Sequence, residues 1–278
     1  MTIGIVGLGL IGGSMAKAIK NRTSHTVFGC DINAETMTMA RISGAIDGEL
    51  NPDTLPQCDV VLLSIFPHAT IEWVKSNAAI IAKGAIVVDL CGVKRLMVEA
   101  LNPIAQENGF IYVGGHPMAG LERSGFTAAK EDLYVGASMI VTPNEHTGVT
   151  VLETLKALFL DLGFANLTFS TPEEHDRIIS YTSQLAHIAS SAYVKSPEAQ
   201  QRRGFSAGSF RDMTRVARLD EKMWTELFMA DNDFLTEELE LYIGHLQQYL
   251  VALKDKDAPA MEALLKEGRE LKATAGGN

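Results

Sequence analysis

At 278 residues, 46% of them hydrophobic, the chain is long enough for one or two domains with a sizeable core. Its formal net charge of −10 argues against nucleic acid or an anionic membrane surface as a partner. No apolar run reaches the roughly 20 residues of a membrane span, and the first motif starts at the second residue, so a cytoplasmic protein without a leader is expected. The three cysteines, Cys30, Cys58 and Cys91, are widely spaced and form no C-x-x-C pair, which predicts reduced, mostly buried thiols rather than a disulfide framework or a zinc site.

Ile3, Ile5 and Val6 read as a buried strand that breaks into Gly7-Leu8-Gly9-Leu10-Ile11-Gly12-Gly13-Ser14, with a helix following. Gly7 permits a tight turn, Gly9 lets a pyrophosphate approach the backbone, and Gly12 allows close helix–strand packing. Together with Leu10 and Ile11 these residues are the expected phosphate cradle at the positive helix N-terminus. A second strand, residues 26–30, ends at Asp31, roughly twenty residues past Gly12, where an acid should bond the adenosine ribose. A carboxylate there welcomes a 2′-hydroxyl and repels a phosphate, and Ile32-Asn33-Ala34 supply no arginine, so NAD is expected rather than NADP. An ordinary turn with Asp31 as a helix cap is the competing reading, but strand, turn, helix, second strand and acid stand in the order the cofactor requires.

Short β-rich runs at residues 60–65, 85–90, 110–113, 138–141 and 166–169 then alternate with helical patterns such as that over 147–162. This predicts an α/β fold, a Rossmann-type doubly wound and mostly parallel sheet over residues 1–170, with ligands at the carboxyl ends of its strands.

From Thr171 the texture changes. Thr171-Pro172-Glu173-Glu174 is a helix start with Thr171 as N-cap and Glu174 as capping-box partner, and no strand pattern follows. Apolar residues recur at helical spacing through Ile178, Ile179, Leu185 and Ile188, and again through Met223, Trp224, Leu227, Phe228, Leu246 and Leu250. Residues 171–278 are therefore expected to be all helical. The pattern over 220–256 is very long for a solitary helix, which predicts a core completed by a second copy, a homodimer. The last residues, from Thr274 to Asn278, read as frayed.

The strand carrying Tyr112 and Val113 leads into Gly114-Gly115-His116-Pro117-Met118-Ala119-Gly120. An imidazole at the carboxyl edge of such a sheet, among glycines that leave room for a ligand, is placed for proton transfer beside the nicotinamide, with a reference pKa of about 6.5. A loop histidine that only bonds the backbone is the plainer alternative. Glu122 and Ser124, just beyond, read first as local turn residues, and Lys94 as either a loop-positioning group or a surface pair. His25, His68, His146, His175 and His245 show no metal-ligand spacing, so no metal is expected.

These segments carry a resemblance. The start Gly-x-Gly-Leu-Ile-Gly-Gly-Ser, the run His-Pro-Met-Ala-Gly, the segment from Ser183 to His187 and the segment Phe210-Arg211-Asp212-Met213-Thr214-Arg215 together resemble the prephenate/arogenate dehydrogenase family of tyrosine biosynthesis. The resemblance implies oxidative decarboxylation of a cyclohexadienol with hydride transfer to NAD. It implies that His116 accepts the proton of the ring hydroxyl, that Arg215 pairs with a substrate carboxylate, and that His187 lies near the substrate or the dimer interface. Prephenate is a dianion, so an acidic protein needs such a local guanidinium. Arg211 is expected to be structural or to support the site without touching the substrate. The family often has Ser-x-Lys where this chain has Gly92-Val93-Lys94, which leaves the Cys91 thiol or the Gly92 backbone to approach the ligand. Arogenate dehydrogenase, a non-catalytic dinucleotide sensor and a generic small-acid reductase are the alternatives; the last would be expected to use a lysine on the helix after Thr171, which offers none before Lys195.

Overall fold

The structure is a computed structural model and describes residues 1–205 and 207–275; Gly276, Gly277 and Asn278 of the tail read as frayed lie outside the described residues. In chain order it runs β1 (Thr2–Val6), α1 (Leu10–Arg22), β2 (Thr26–Cys30), α2 (Ala34–Ile42), β3 (Gly48–Glu49), β4 (Val60–Leu63), α3 (Pro67–Asn77), β5 (Ile86–Asp89), α4 (Arg95–Asn108), β6 (Ile111–Pro117), β7 (Ser138–Thr142), α5 (Val149–Asp161) and β8 (Asn166–Phe169). The eight strands form one sheet in the order β3-β2-β1-β4-β5-β6-β7-β8. All neighbours are parallel except β6 and β7, so the expected doubly wound sheet carries a reversed edge.

Alternation along the strands explains the two covered faces. Ile3, Ile5, Val60, Leu62, Ile86 and Val88 fall into one core, whereas Val6, Val61, Leu63, Val87 and Tyr112 fall into the other. Successive side chains of a strand point to opposite faces, so a strand covered on both faces is apolar throughout. The order reverses between β1 and β4, and the carboxyl ends of those two strands form the crevice where such sheets bind ligands.

No strand follows β8 among the described residues, and the chain turns helical at Pro172. Thr171 accepts the Glu174 N–H at 3.1 Å as N-cap of α6 (Pro172–Ile179), although the Glu174 carboxylate takes the Ser170 hydroxyl rather than closing the box. A π-helical turn (Ser180–Leu185) separates α6 from α7 (Ala186–Tyr193), and α8 (Glu198–Gln201), α9 (Gly208–Thr214) and α10 (Glu221–Ala230) follow. The apolar pattern that read as one long helix is broken at Asp231, which is fully buried.

The chain divides into two compact units, Met1–Asp231 and a second that starts at Asn232. The second contains α11 (Asn232–Asp255) and α12 (Ala258–Ala275), joined by the Tyr249 hydroxyl donating to the Leu264 carbonyl. Leu241, Ile243, Leu246 and Leu250 on α11 and Leu265 and Leu271 on α12 are exposed. Among the described residues no helix is long and apolar enough to cross a membrane.

Candidate active site

The glycine turn is constrained by its backbone at Gly7 and by its packing at Gly7 and Gly12. Gly7 has φ +83°, and a Cβ there would lie 2.4 Å from Ile65 Cγ2 and 2.8 Å from the Ser64 carbonyl oxygen, so only glycine fits. A Cβ on Gly12 would lie 1.9 Å from the Gly7 oxygen and 2.1 Å from Ser64 Oγ, which is the close helix–strand approach. Gly9, the N-cap of α1, has no neighbour within 4 Å of a Cβ position and faces open space. Leu10, Ile11 and Gly12 are the first three residues of α1, whose N–H groups have no carbonyl one turn back. Asp31 stands beside them: one carboxylate oxygen accepts the Leu8 N–H at 2.8 Å and the other the Asn33 N–H at 2.9 Å. Asn33, not Asp31, caps α2. An open glycine at a helix N-terminus, with a carboxylate one strand over, fits a dinucleotide.

His116 is not in a loop. It belongs to β6, which pairs with β5 only as far as Gly114 opposite Asp89 and then continues against β7 alone, with His116 opposite Ile140. One flank is thus bonded and the other is left for partners from elsewhere. The adjacent glycines do not make room for a ligand. A Cβ on Gly114 would lie 2.2 Å from Thr142 Oγ1, and one on Gly115 2.7 Å from Met139 Cε, so both are required by packing.

The partner of His116 comes from α6. His116 Nδ1 lies 2.8 Å from His175 Nε2, and His175 Nδ1 lies 2.7 Å from Asp176 Oδ1. Asp176 also accepts the Lys94 N–H at 2.7 Å and the Arg95 N–H at 2.9 Å, capping α4, which has no side-chain cap of its own. A carboxylate that receives these donors is ionised and only accepts. The order of protons follows. Asp176 takes the His175 Nδ1–H, His175 Nε2 takes the His116 Nδ1–H, and His116 Nε2 is left with a bare lone pair. That nitrogen faces Gly92, whose added Cβ would lie 3.9 Å from it. Burial, with His175 and Lys94 nearby, holds the His116 imidazole well below the ordinary histidine range, which corrects the reference value of about 6.5. Burial likewise lowers His175, against the opposing pull of Asp176. Burial alone would raise Asp176, but the hydrogen bonds from His175 and from the backbone of Arg95 and Lys94 bring it below the usual carboxylate range.

Lys94 is no surface pair. Its fully buried ammonium bonds Asp89, whose other oxygen accepts the Tyr112 hydroxyl at 2.6 Å. Asp89 also takes the Cys91 N–H at 3.0 Å, so the loop over residues 91–95 is fastened at Asp89 and at Asp176. Cys91 Sγ lies 3.6 Å from the Ile65 carbonyl, and burial raises its thiol well above the ordinary range. Gly92, not Cys91, faces the imidazole.

Arg215 lies at the C-cap of α9, and its Nη1 is 2.5 Å from Glu122 Oε1. The pair is open, with 65% of the arginine and 43% of the glutamate side chain exposed. Glu122 is therefore a long-range partner and not a local turn residue; the arginine's hydrogen bond holds its carboxyl below the ordinary range. His187 Nδ1 lies 2.8 Å from the Ser183 carbonyl, and its ring stacks on Trp224 with centroids 3.9 Å apart. Burial lowers its pKa, as does Arg215, against the Ser183 carbonyl. Trp224, Leu227 and Phe228, which read as core, are only half-buried, and Leu227 comes within 3.6 Å of a Gly92 Cβ position. Arg211 is 82% exposed and lines a cavity of about 480 Å³ with Arg202, Phe210 and Thr214.

Comparison with known proteins reaches both halves of this arrangement. The family described as "Prephenate dehydrogenase, nucleotide-binding domain" matches residues 15–166, and "Prephenate dehydrogenase, dimerization domain" matches residues 171–267. The chain belongs to the prephenate dehydrogenase family. A prephenate dehydrogenase of Lactococcus lactis is 29% identical over 96% of this chain and 75% of its own length. The solved structure of the Aquifex aeolicus prephenate dehydrogenase, in complex with hydroxyphenyl propionate and NAD+, is 28% identical with a TM-score of 0.86, covering 99% of this chain and 98% of that one. The Synechocystis arogenate dehydrogenase is 25% identical with a TM-score of 0.81, covering 99% and 100%. Members of the family are oxidoreductases, and so is this chain.

Within this family framework, His175, Asp176 and the buried Asp89 are the residues that sequence reasoning missed. His175 and Asp176 lie in the first turns of a helix whose cap was read correctly, but nothing in the spacing says that α6 docks beside β6. One available signal was His-Asp placed four and five residues after an N-cap, where adjacent side chains point roughly a third of a turn apart.

Proposed function

We propose that this chain is a homodimeric, cytoplasmic, NAD-dependent prephenate dehydrogenase that converts prephenate to 4-hydroxyphenylpyruvate, carbon dioxide and NADH in tyrosine biosynthesis. The observation that carries the reading is the bare Nε2 of His116, turned toward Gly92 while His175 and Asp176 hold the opposite nitrogen. Gly7, Gly9, Leu10, Ile11 and Gly12 hold the pyrophosphate, and Asp31 bonds the adenosine ribose. NAD, when bound, accepts the hydride that leaves the ring carbon. His116 accepts a hydrogen bond from the hydroxyl on that carbon and takes its proton as the carbonyl forms. Arg215 exchanges Glu122 for a substrate carboxylate, and His187, fixed by Ser183 and Trp224, lines the same end. The chain supplies alignment and proton transfer, because aromatisation drives the loss of carbon dioxide.

The boundary at 170/171 separates a nucleotide domain from a helical substrate and dimerisation domain, and it falls between the two family matches. The exposed apolar residues of α11 and α12 support a dimer through the helical part. The similarity to an arogenate dehydrogenase favours one second reading, the same reaction on the amino analogue. Purified protein with NAD, offered prephenate and arogenate separately and followed by NADH absorbance, decides between them; no turnover of either sinks the proposal.

A further inference from the structure

We propose that His116 does not keep the proton it takes, and that the proton comes to rest on His175, so that the two imidazoles act as one reversible proton store. The proposal rests on the function above for the identity of the donor hydroxyl. Its geometry is a continuous chain, His116 Nδ1 to His175 Nε2 at 2.8 Å and His175 Nδ1 to Asp176 Oδ1 at 2.7 Å.

The proton balance requires a store. Hydride leaves with the nicotinamide and the carboxylate leaves as carbon dioxide, so neither removes a proton, and the product phenol still carries one on its oxygen. A proton withdrawn to help hydride departure must therefore come back. In the forward step the substrate O–H bond breaks as His116 Nε2–H forms, and the electron pair stays on oxygen to become the carbonyl. His116 Nδ1–H breaks as His175 Nε2–H forms. His116 ends neutral with its tautomer reversed, and His175 ends as an imidazolium on Asp176. After decarboxylation both transfers run backwards onto the phenolate oxygen.

Charge decides where the proton stops. A cation on His116 would face the buried Lys94 ammonium from the loop before α4 and would touch no carboxylate. A cation on His175 touches the Asp176 carboxylate directly, with Asp89 on β5 also favouring it and Lys94 opposing it. Asp176 is held ionised for this by the two N–H groups at the start of α4 and by Arg95 Nε at 3.3 Å. Both rings are held below the ordinary histidine range at rest, so the store is empty until substrate fills it.

The full chain, labelled with ¹⁵N-histidine, tests this without any substitution. Long-range ¹⁵N NMR from about pH 8 down to the pH at which the pair takes up its first proton should find His116 protonated at Nδ1 at the upper end. The first proton taken up by the pair should make His175 the imidazolium and move the His116 proton to Nε2. An imidazolium on His116 with a neutral His175 overturns the proposal. His175→Gln, whose amide oxygen and NH2 can bond both neighbours but which cannot take up a further proton, should lower kcat by about 10- to 100-fold, shift the acid limb of the kcat profile, and leave KM for prephenate and NAD affinity within about twofold. Unchanged kcat and pH profile in that variant also overturn it. If the unaltered chain turns over neither prephenate nor arogenate, the functional reading fails, and the NMR titration still decides where the proton rests.

Discussion

His116 is gripped by a line of partners at 2.8 and 2.7 Å that ends in a buried carboxylate, whereas Arg215 reaches a single partner, Glu122, with 65% of its own side chain in solvent. The first arrangement needs no reorganisation when substrate arrives, because every proton in it is already ordered. The second is a solvent-exposed ion pair, weakened by water and salt, which a substrate carboxylate could displace. The histidine line is thus built by folding, whereas the proposed anion grip would be completed by binding.

The largest expected effect comes from breaking the preformed end. His116→Asn should lower kcat by roughly 10² to 10⁴ while NAD affinity stays within a few-fold, since the phosphate turn lies at the end of a different strand. Calorimetric NAD titration beside turnover separates the two; equal loss of both would mean that His116 is structural. Arg215→Ala tests the displaceable end. It should raise KM for prephenate about 10- to 100-fold, or roughly 1.4–2.7 kcal/mol, and change kcat less. Arg215→Lys should recover only part, because an ammonium lacks the planar two-pronged contact. An unchanged KM would leave the substrate carboxylate to another cation, such as Arg211.

Asp31 resembles the histidine end, since Leu8 and Asn33 N–H groups orient its carboxylate before any ligand binds. Asp31→Ser should weaken NAD by about 1 kcal/mol, the scale of one net hydrogen bond, and narrow the preference over NADP. A wild-type preference for NADP would refute its role.

A smaller effect follows from pH. The His116 pKa is depressed, so turnover should persist below the ordinary histidine range and fall only as pH drops through that lowered value. Stability should follow the same sense. The folded pair is neutral while unfolded histidines protonate near 6.5, so the unfolded state binds more protons as pH falls below that point. Stability is then full above about 6.5 and declines toward the lowered folded values. An acid limb at or above the free histidine value contradicts the burial argument.

The same contrast governs what could be read before the fold was known. The turn from Gly7 to Gly12 and the acid at Asp31 are largely local: the positive φ of Gly7, the 1.9 Å approach of Gly12 to the Gly7 oxygen and the open helix end operate within one βαβ unit, and only Ser64 and Ile65 press on the turn from outside it. Sequence spacing therefore carried them. The strand patterns were legible for the same reason, although the end of β6 was cut short at Val113 because Gly114 and Gly115 read as loop. What was not legible is convergence. Nothing in the sequence separates His175 from the other histidines, and Glu122 reads as a turn residue, because their partners lie 59 and 93 residues away. Trp224 and Leu227 carry a helical period that says only that one face is covered, not that His187 and Gly92 lie beside it. The π turn over Ser180–Leu185 leaves no mark in an apolar pattern at all.

The last prediction asks whether the histidine end has any slack. Gly92 stands where the family often has serine, and a Cβ there would meet nothing nearer than Leu227 at 3.6 Å and His116 Nε2 at 3.9 Å, ordinary contact distances. Gly92→Ser should therefore fold normally, with a Tm within a few degrees of wild type. A hydroxyl one bond further out can approach His116 Nε2 to about 3 Å and donate to its lone pair. That bond competes with the substrate hydroxyl when the serine donates, and supports it when the serine turns to accept from substrate. The two tendencies oppose, so kcat should change by no more than about threefold, with the acid limb moved slightly down because the neutral imidazole is the form being bonded. A loss beyond about tenfold would mean that the space at Gly92 is filled by substrate itself, and that this chain has dispensed with the serine to make room for it.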